Sequence, residues 1–535
     1  MPCDATRPPT GGSKCWSIGV LEYLPVAARR SSNTPVLQHS NAPDLRPSTF
    51  GLRLSRVTIA TATRSFVPPG AAKAKRNPPP PITLAMYDPD LHLFVNDEAT
   101  LGSREVVRKV HSMRRESAEP VMMPPEGHSI GWVTVARDDE TGDLKMWYPQ
   151  TDVSGSGSGE SVYKVAVSKD GFNWSCRGDA FKPEHRYSMS DFSVAPVGPD
   201  VDPWFEGAKF VAAATFNDRP TPAEPDGTYL LRSMDGVHFE ARFPCALPHK
   251  GDRMFLGHDQ VQGEYLFITR PYYGYIPGFT PIDSRKVVRH RMANLWKSRD
   301  LVNWQDFGIV LRFDDDDHHD LEIHTMECFR YGRGFLALVE IFRTMGVFDV
   351  QLACSPDGIS WQRVGRRETI LGSGGQDAWD SGLIVPATNP PIACGDRLWV
   401  FYRSIRRWFD RSLDRTGVGL ASLRKDGWVS LDAGRNDAMV VTRRLPLTEP
   451  MKLELNVNCM RGRMMVDVIA DDFDKHFEPM TGYEGDASPI EQIDATSHRV
   501  TWRDREVVLP NEFGGCFLRF RFTAASLFSF RWSRV

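Results

Sequence analysis

Apolar and polar residues alternate in short runs along most of this chain, with the period of β-strands. Runs at 163–167, 228–231 and 350–353 show it, and each ends in a cluster of Ser, Asp and Gly. Helical periodicity is scarce across 86–440, which excludes a helical solenoid. From 441 onward the alternation continues at 452–457, 464–469, 499–502, 517–522 and 527–532. The stretch Phe517-Leu-Arg-Phe-Arg-Phe puts apolar residues on one face and basic ones on the other.

The Ser-Asp-Gly clusters are copies of one motif. Ser168-Lys-Asp170-Gly171-Phe-Asn-Trp174 is the first, and Ser233-Met-Asp235-Gly236-Val-His-Phe239 the second. Ser298-Arg-Asp300-Leu301-Val-Asn-Trp304 and Ser355-Pro-Asp357-Gly358-Ile-Ser-Trp361 follow. A degraded fifth copy begins at Ser422 and reaches Asp426-Gly427-Trp428. The Ser positions are about 65, 65, 57 and 67 residues apart, the length of a four-stranded unit. In each copy Ser and Asp accept backbone N–H groups in a tight turn, Gly supplies a positive φ, and the aromatic opens the next strand. The motif residues are therefore turn and packing devices. The pattern predicts an all-β chain: a five-bladed β-propeller over 86–440, then a C-terminal β-sandwich over 441–535.

These hairpins resemble those of the five-bladed glycosidases, which include invertase- and levanase-like enzymes, arabinanase- and xylosidase-like enzymes and mannoside phosphorylases. Leu93-Phe94-Val95-Asn96-Asp97, Arg108, His111, the run 349–353, Ala378-Trp379-Asp380-Ser381-Gly382 and Asp426-Gly427-Trp428 resemble a poorly characterised bacterial group of that superfamily. The likeness covers about 86–535 and implies a carbohydrate substrate. The chain lacks the W-M-N-D-P-N, R-D-P and E-C-P segments of the invertase type, the last of which Met326-Glu327-Cys328-Phe329 echoes only faintly. Fructosidase activity is thus not implied.

Residues 1–85 read differently. They hold about a third of the 39 prolines, and 11 Lys and Arg against 3 acids, without sustained periodicity. The expectation is a disordered or spurious extension with Met86 as the true start, a transit peptide being the alternative. Over the whole chain, 65 basic against 68 acidic residues give a net charge of −3. That balance offers no global attraction to nucleic acid or an anionic membrane. No apolar run approaches the roughly 18 residues that span a bilayer. Nine cysteines without a C-x-x-C pair fit free thiols in a reducing compartment, so a cytoplasmic location is expected.

Glycoside cleavage needs paired carboxyls, one holding a proton for the leaving oxygen and one ionised. The resemblance implies three acids at the mouth of a central channel. Glu322, on the apolar run Leu321-Glu-Ile-His-Thr-Met, is the expected acid. Asp191 and Asp380 are the expected ionised partners, and Asp252 an orienting group. His128, His258, His324, Trp379 and Arg403 are the expected substrate contacts, Arg403 for a sugar carboxylate or sulfate. The acidic run 314–317 with His318, His319 and Asp320 lacks calcium-loop spacing, so no metal is assigned, and no cofactor is called for. Two other functions compete: a non-catalytic carbohydrate-binding propeller, and a phosphorylase using Arg253, Arg270 and Arg403 for phosphate. Sequence leaves the sugar and the oligomeric state open. Mass spectrometry of the natively expressed N-terminus is expected to read from Met86, and a peptide from upstream would overturn that start.

Overall fold

The computed structural model describes residues 87–138, 140–154, 161–182, 191–216, 227–242, 246–247, 253–270, 291–343, 347–406, 416–472 and 477–535. All lie in one compact unit, Pro78–Val535. The fold is all-β, and helix among these residues amounts to two single 3-10 turns, Pro203–Phe205 and Gly485–Ala487.

Five antiparallel sheets follow one another along the chain. The first pairs His128–Ile130 and Thr134–Arg137 with Leu144–Asp152, followed by Ser161–Ser168 and Ser175–Phe181. The second runs Phe192–Pro196, Phe210–Phe216, Gly227–Ser233, Glu240–Ala241. The third runs Phe255–Asp259, Glu264–Thr269, Ala293–Ser298, Gln305–Leu311. The fourth runs Leu321–Tyr331, Gly334–Arg343, Val347–Ser355, Gln362–Arg363. The fifth runs Leu383–Pro386, Arg397–Ile405, Thr416–Arg424, and its outer strand is Arg114–Arg115 from much earlier in the chain.

The sheets close a ring. The opening strands of the second, third and fourth pack in succession, the fourth meets Leu383–Pro386 of the fifth, and Thr416–Arg424 returns to His128–Ile130 of the first. Apolar residues fill the joints between neighbours. Trp147, Tyr163 and Phe192 seal the first joint, and Leu230, Leu256 and Phe267 the second. Phe255, Ile323 and Val339 seal the third, Leu338, Leu352 and Ile384 the fourth, and Tyr148, Phe401 and Leu420 the last. Burying each such side chain contributes roughly 1.5–3 kcal/mol, so the joints dominate the stability of the ring.

The repeated motif is built as its sequence implies. Ser168 Oγ accepts Gly171 N at 2.9 Å, and Asp170 Oδ1 accepts Phe172 N at 2.9 Å and Asn173 N at 2.8 Å. The copies at Ser233, Ser298 and Ser355 repeat the Ser bond at 2.9 Å. Gly171, Gly236 and Gly358 all have φ near +73 (75, 72 and 73°), and Leu301, standing in for Gly, has 67°. Leu301 is buried in the second joint, which offsets the strain of its backbone.

The remaining strands form two six-stranded sheets that the boundary expected at 440 does not separate. One orders Val106–Val110, Val429–Ala433, Ser526–Arg534, Met451–Asn458 and Asp494–Arg499, with Leu91–Leu93 added on Ser526–Arg534. The other orders Thr100–Arg104, Ala438–Thr442, Gly515–Thr523, Arg463–Ala470 and Ile490–Glu491, with Leu445–Pro446 on Gly515–Thr523. The pairing thus assigns 91–110 and 429–440 to the terminal sheets, through Thr100–Arg104 on Ala438–Thr442 and Val106–Val110 on Val429–Ala433. Phe520 of one sheet meets Phe530 of the other at 5.8 Å, within a core that includes Leu453, Val466, Leu518 and Trp532. The strand foreseen at 499–502 lies instead at Asp494–Arg499.

The turn geometry can be tested at Gly171, where an added Cβ would stand 2.6 Å from Trp399 Cζ3 of the fifth sheet. Gly171→Ala is expected to cost roughly 1–2 kcal/mol for the left-handed backbone and about 1–3 kcal/mol for overpacking. Chemical denaturation should show the midpoint falling.

Candidate active site

Polar side chains collect where the opening strands of the ring meet. Arg253, just before Phe255–Asp259, is 0% exposed. Its Nε donates to Glu340 Oε1 at 3.1 Å, and its Nη2 donates to Glu327, Glu340 and the Pro386 carbonyl, the last at 3.1 Å. One guanidinium therefore ties the third, fourth and fifth sheets. Asp191, which opens the second sheet, is buried and acts on Arg253 electrostatically. The Asp191 carbonyl accepts Tyr163 OH of the first sheet at 2.9 Å.

Burial raises the proton affinity of both Glu327 and Glu340, and their surroundings then drive them apart. Glu327 stays well above the usual carboxylate range, because burial and the neighbouring charge of Glu340 outweigh Arg253. For Glu340, Arg253 and His324 outweigh burial and hold the carboxyl below that range. His324 Nδ1 lies 2.6 Å from Glu340 Oε2. Burial, then the nearby Arg270, push the imidazole down to about 3. A neutral ring donating Nδ1–H to an ionised Glu340 leaves Nε2 as an acceptor, a tautomer inferred from that bond. His324 thus presents an acceptor where a donor was expected.

A β-bulge explains who faces whom. Ile323 pairs with Ile341 but Thr325 with Glu340, which makes His324 the extra residue. The bulge shifts the alternation, so Leu321, Ile323, Met326 and Cys328 share the apolar joint. Glu322, Thr325 and Glu327 take the other face. Strict alternation would have put Glu327 with Ile323, so in the sequence only the faint echo of an E-C-P segment marks it.

Glu322 is 6% exposed and ion-paired through Oε2 with Arg291 Nη1. Arg403 is 7% exposed, its Nε donates to the Ile130 carbonyl at 2.7 Å, and its guanidinium lies 4.7 Å from the Trp132 ring centre. Arg253 lies 5.3 Å from the same ring, and His324 meets it edge-on at 6.1 Å. Burial, then Arg253, push Arg403 down to about 10.

The other expected residues stand elsewhere. Asp380 accepts Arg115 Nε at 2.6 Å and Tyr402 OH at 2.9 Å, and Trp379 stacks on Tyr402 at 5.9 Å. Tyr402 and Arg403 are successive residues of one strand and point to opposite faces, so Asp380 and Trp379 go with the face away from Trp132. His258 stacks on Tyr265 at 4.5 Å, at the far end of its strand from Arg253. His128 bonds through Nδ1 to the Glu126 carbonyl at 3.1 Å at the start of the first sheet. Asp252 lies outside the described residues. Glu340, Arg291 and Trp132 were not singled out from sequence. A lone acid in the apolar run Leu338-Val-Glu-Ile341 is the one signal that could have found Glu340. Among the described residues no group of three His, Cys, Asp or Glu could hold a metal ion, and Arg363 and Arg367 pair with Asp314, Asp316 and Asp317 of the acidic run. No helix among them is long and apolar enough to cross a membrane.

No family model and no curated protein matches the chain. Among solved structures it is similar to a glycoside hydrolase, at 10% identity and TM-score 0.41 over 61% of this chain and 92% of that one. It is also similar to the β-1,2-mannobiose phosphorylase of Listeria innocua, at 13% identity and TM-score 0.42 over 58% and 96%. An N-acetylgalactosamine deacetylase from F. plautii matches at 14% identity and TM-score 0.40 over 60% and 95%.

Two stability measurements test the cluster. Glu327→Gln, which imitates the protonated acid, is expected to change unfolding free energy at pH 7 by less than about 1 kcal/mol, whereas Glu340→Gln leaves Arg253 under-compensated and should cost about 3–5 kcal/mol. His324 is depressed in the folded state, so its contribution is complete above pH 6.5 and is lost as pH falls from there towards about 3. Urea melts below pH 6.5 should lose about 1.4 kcal/mol per pH unit through His324, and His324→Gln should remove that part of the slope.

Proposed function

We propose that this chain is a carbohydrate-active enzyme that cleaves O-glycosidic bonds at the centre of the ring. In this reading the five sheets are the blades of a five-bladed β-propeller and the two terminal sheets a β-sandwich. The supporting observation is the pair Glu327 and Glu340. Two carboxyls share Arg253, and the anion Glu340 helps keep Glu327 protonated, the state that an acid for the leaving oxygen requires.

The roles follow from that pairing. Among the described residues Glu327 Oε2 accepts no hydrogen bond and the carboxyl keeps its proton, so Glu327 is the proposed donor to the leaving oxygen. Water then adds to the anomeric carbon and its proton passes to an ionised carboxylate, for which Asp191 is the proposed base. Glu322, held by Arg291, and His324, offering Nε2 as acceptor, position the sugar hydroxyls. Asp252 is the proposed third acid and Asp380 is proposed to brace the fifth sheet through Arg115 and Tyr402. Glu327 has no exposed surface, so substrate entry requires side chains at the ring centre to part.

That closure favours a second reading, a propeller that binds glycans without cleaving them. Phosphorolysis is a variant of the first reading, in which phosphate replaces water and Arg403 faces it. A panel of nitrophenyl glycosides, assayed with and without inorganic phosphate, separates all three. Glu327→Gln is expected to lower kcat by about 10²–10⁴-fold with KM little changed, whereas Glu322→Gln should mainly raise KM. Loss of kcat in Glu322→Gln alone would return the donor role to Glu322, and glycan binding without cleavage would leave the binding reading.

A further inference from the structure

We propose that Arg403 seats the carboxylate of an acidic sugar, so that the substrate is a glycan bearing uronic acid. This deepens the glycan-cleaving reading and rests on it.

Several guanidinium groups in this molecule are answered by an acid, whereas Arg137, also buried, is held among the described residues by the Gly142 carbonyl alone. Arg253 has Glu327 and Glu340, Arg330 has Asp259, and Arg363 has Asp317. Arg403 is nine-tenths buried and forms no ion pair among the described residues. A buried charge is costly unless paired, and this one is pressed further by Arg253 beside it. Glu327 and Glu340 are committed to Arg253.

The geometry at Arg403 selects the kind of anion. The Trp132 ring fixes the plane of the guanidinium, and Nε is tied to the Ile130 carbonyl at 2.7 Å. Nη1 and Nη2 make no hydrogen bond among the described residues, which leaves the terminal fork free. Two parallel N–H groups match the two oxygens of a planar carboxylate. Arg253 beside Arg403 adds no donors, since its nitrogens serve Glu327, Glu340, Met254 O and Pro386 O.

Thermal unfolding of the full chain tests this without reading catalysis. The ligands are D-glucuronate, D-galacturonate and D-mannuronate, their neutral parent hexoses, and inorganic phosphate and sulfate. At least one uronate is expected to raise the midpoint in a saturable way at concentrations where its neutral parent and the inorganic anions do not. Arg403→Gln should abolish that shift while its own midpoint without sugar stays level or rises, because the uncompensated charge is gone. Arg403→Lys keeps the charge but not the fork, and should weaken uronate binding by about tenfold or more. Should Arg403→Gln fail to fold, the Lys variant and the ligand comparison on the unaltered chain decide. Equal shifts from a uronate and its parent hexose, a matching shift from phosphate, no shift from any uronate, or full binding by either variant would overturn the proposal. If uronates bind through Arg403 but no glycoside is cleaved, the cleavage reading falls and this one stands. If neutral glycosides are cleaved and uronates do not bind, the reverse holds.

Discussion

A guanidinium with no access to water has to be answered from within, and Arg253 is answered from two other sheets. Glu327 and Glu340 reach it from adjacent strands of the fourth sheet, and the Pro386 carbonyl from the fifth. Removing one partner would leave charge stranded in a low-dielectric interior, so the three sheets are held in register at the ring centre. The apolar joints supply most of the stabilising free energy, but they tolerate sliding in a way that bidentate hydrogen bonds do not. The chemistry described above depends on that fixed register, because it sets which carboxyl keeps a proton.

Much of the ring was legible in the sequence, for a physical reason. A Ser-Asp-Gly turn satisfies its own backbone locally, so the same residues recur wherever the same hairpin does. Ser168, Ser233, Ser298 and Ser355 all make the same bond to the residue three places on. Even Leu301 was readable as a Gly substitute, and its positive φ agrees. The terminal sheets were harder. Their pairing joins residues such as Leu91 and Arg531, which no local signal links.

The site was only partly legible. Arg403, Glu322, His324 and Asp191 carry enough signal, since each is a polar residue at the start or in the body of an apolar strand. Glu327 was hidden by one extra residue at His324, which reverses the alternation for the rest of the strand. A Trp-Asp-Ser-Gly segment near a strand start marks Asp380, whose carboxylate accepts from Arg115 and Tyr402 and not from Arg253. Spacing along a chain does not say which face a loop residue will choose.

The outer strand of the fifth sheet is Arg114–Arg115, and Glu116 beside it meets Ser422 across 306 residues of chain. This has a consequence for synthesis. The early strands leave the ribosome hundreds of residues before their partners, so their hydrogen-bonding edges must wait unpaired. The strands of the ring are all made by residue 424, whereas the terminal sheets wait for Gly515–Thr523 and Ser526–Arg534, and no cut near 440 would leave those sheets their early strands. The molecule is latched by its beginning, and its cooperativity as a folding unit is set by the last hundred residues to be made.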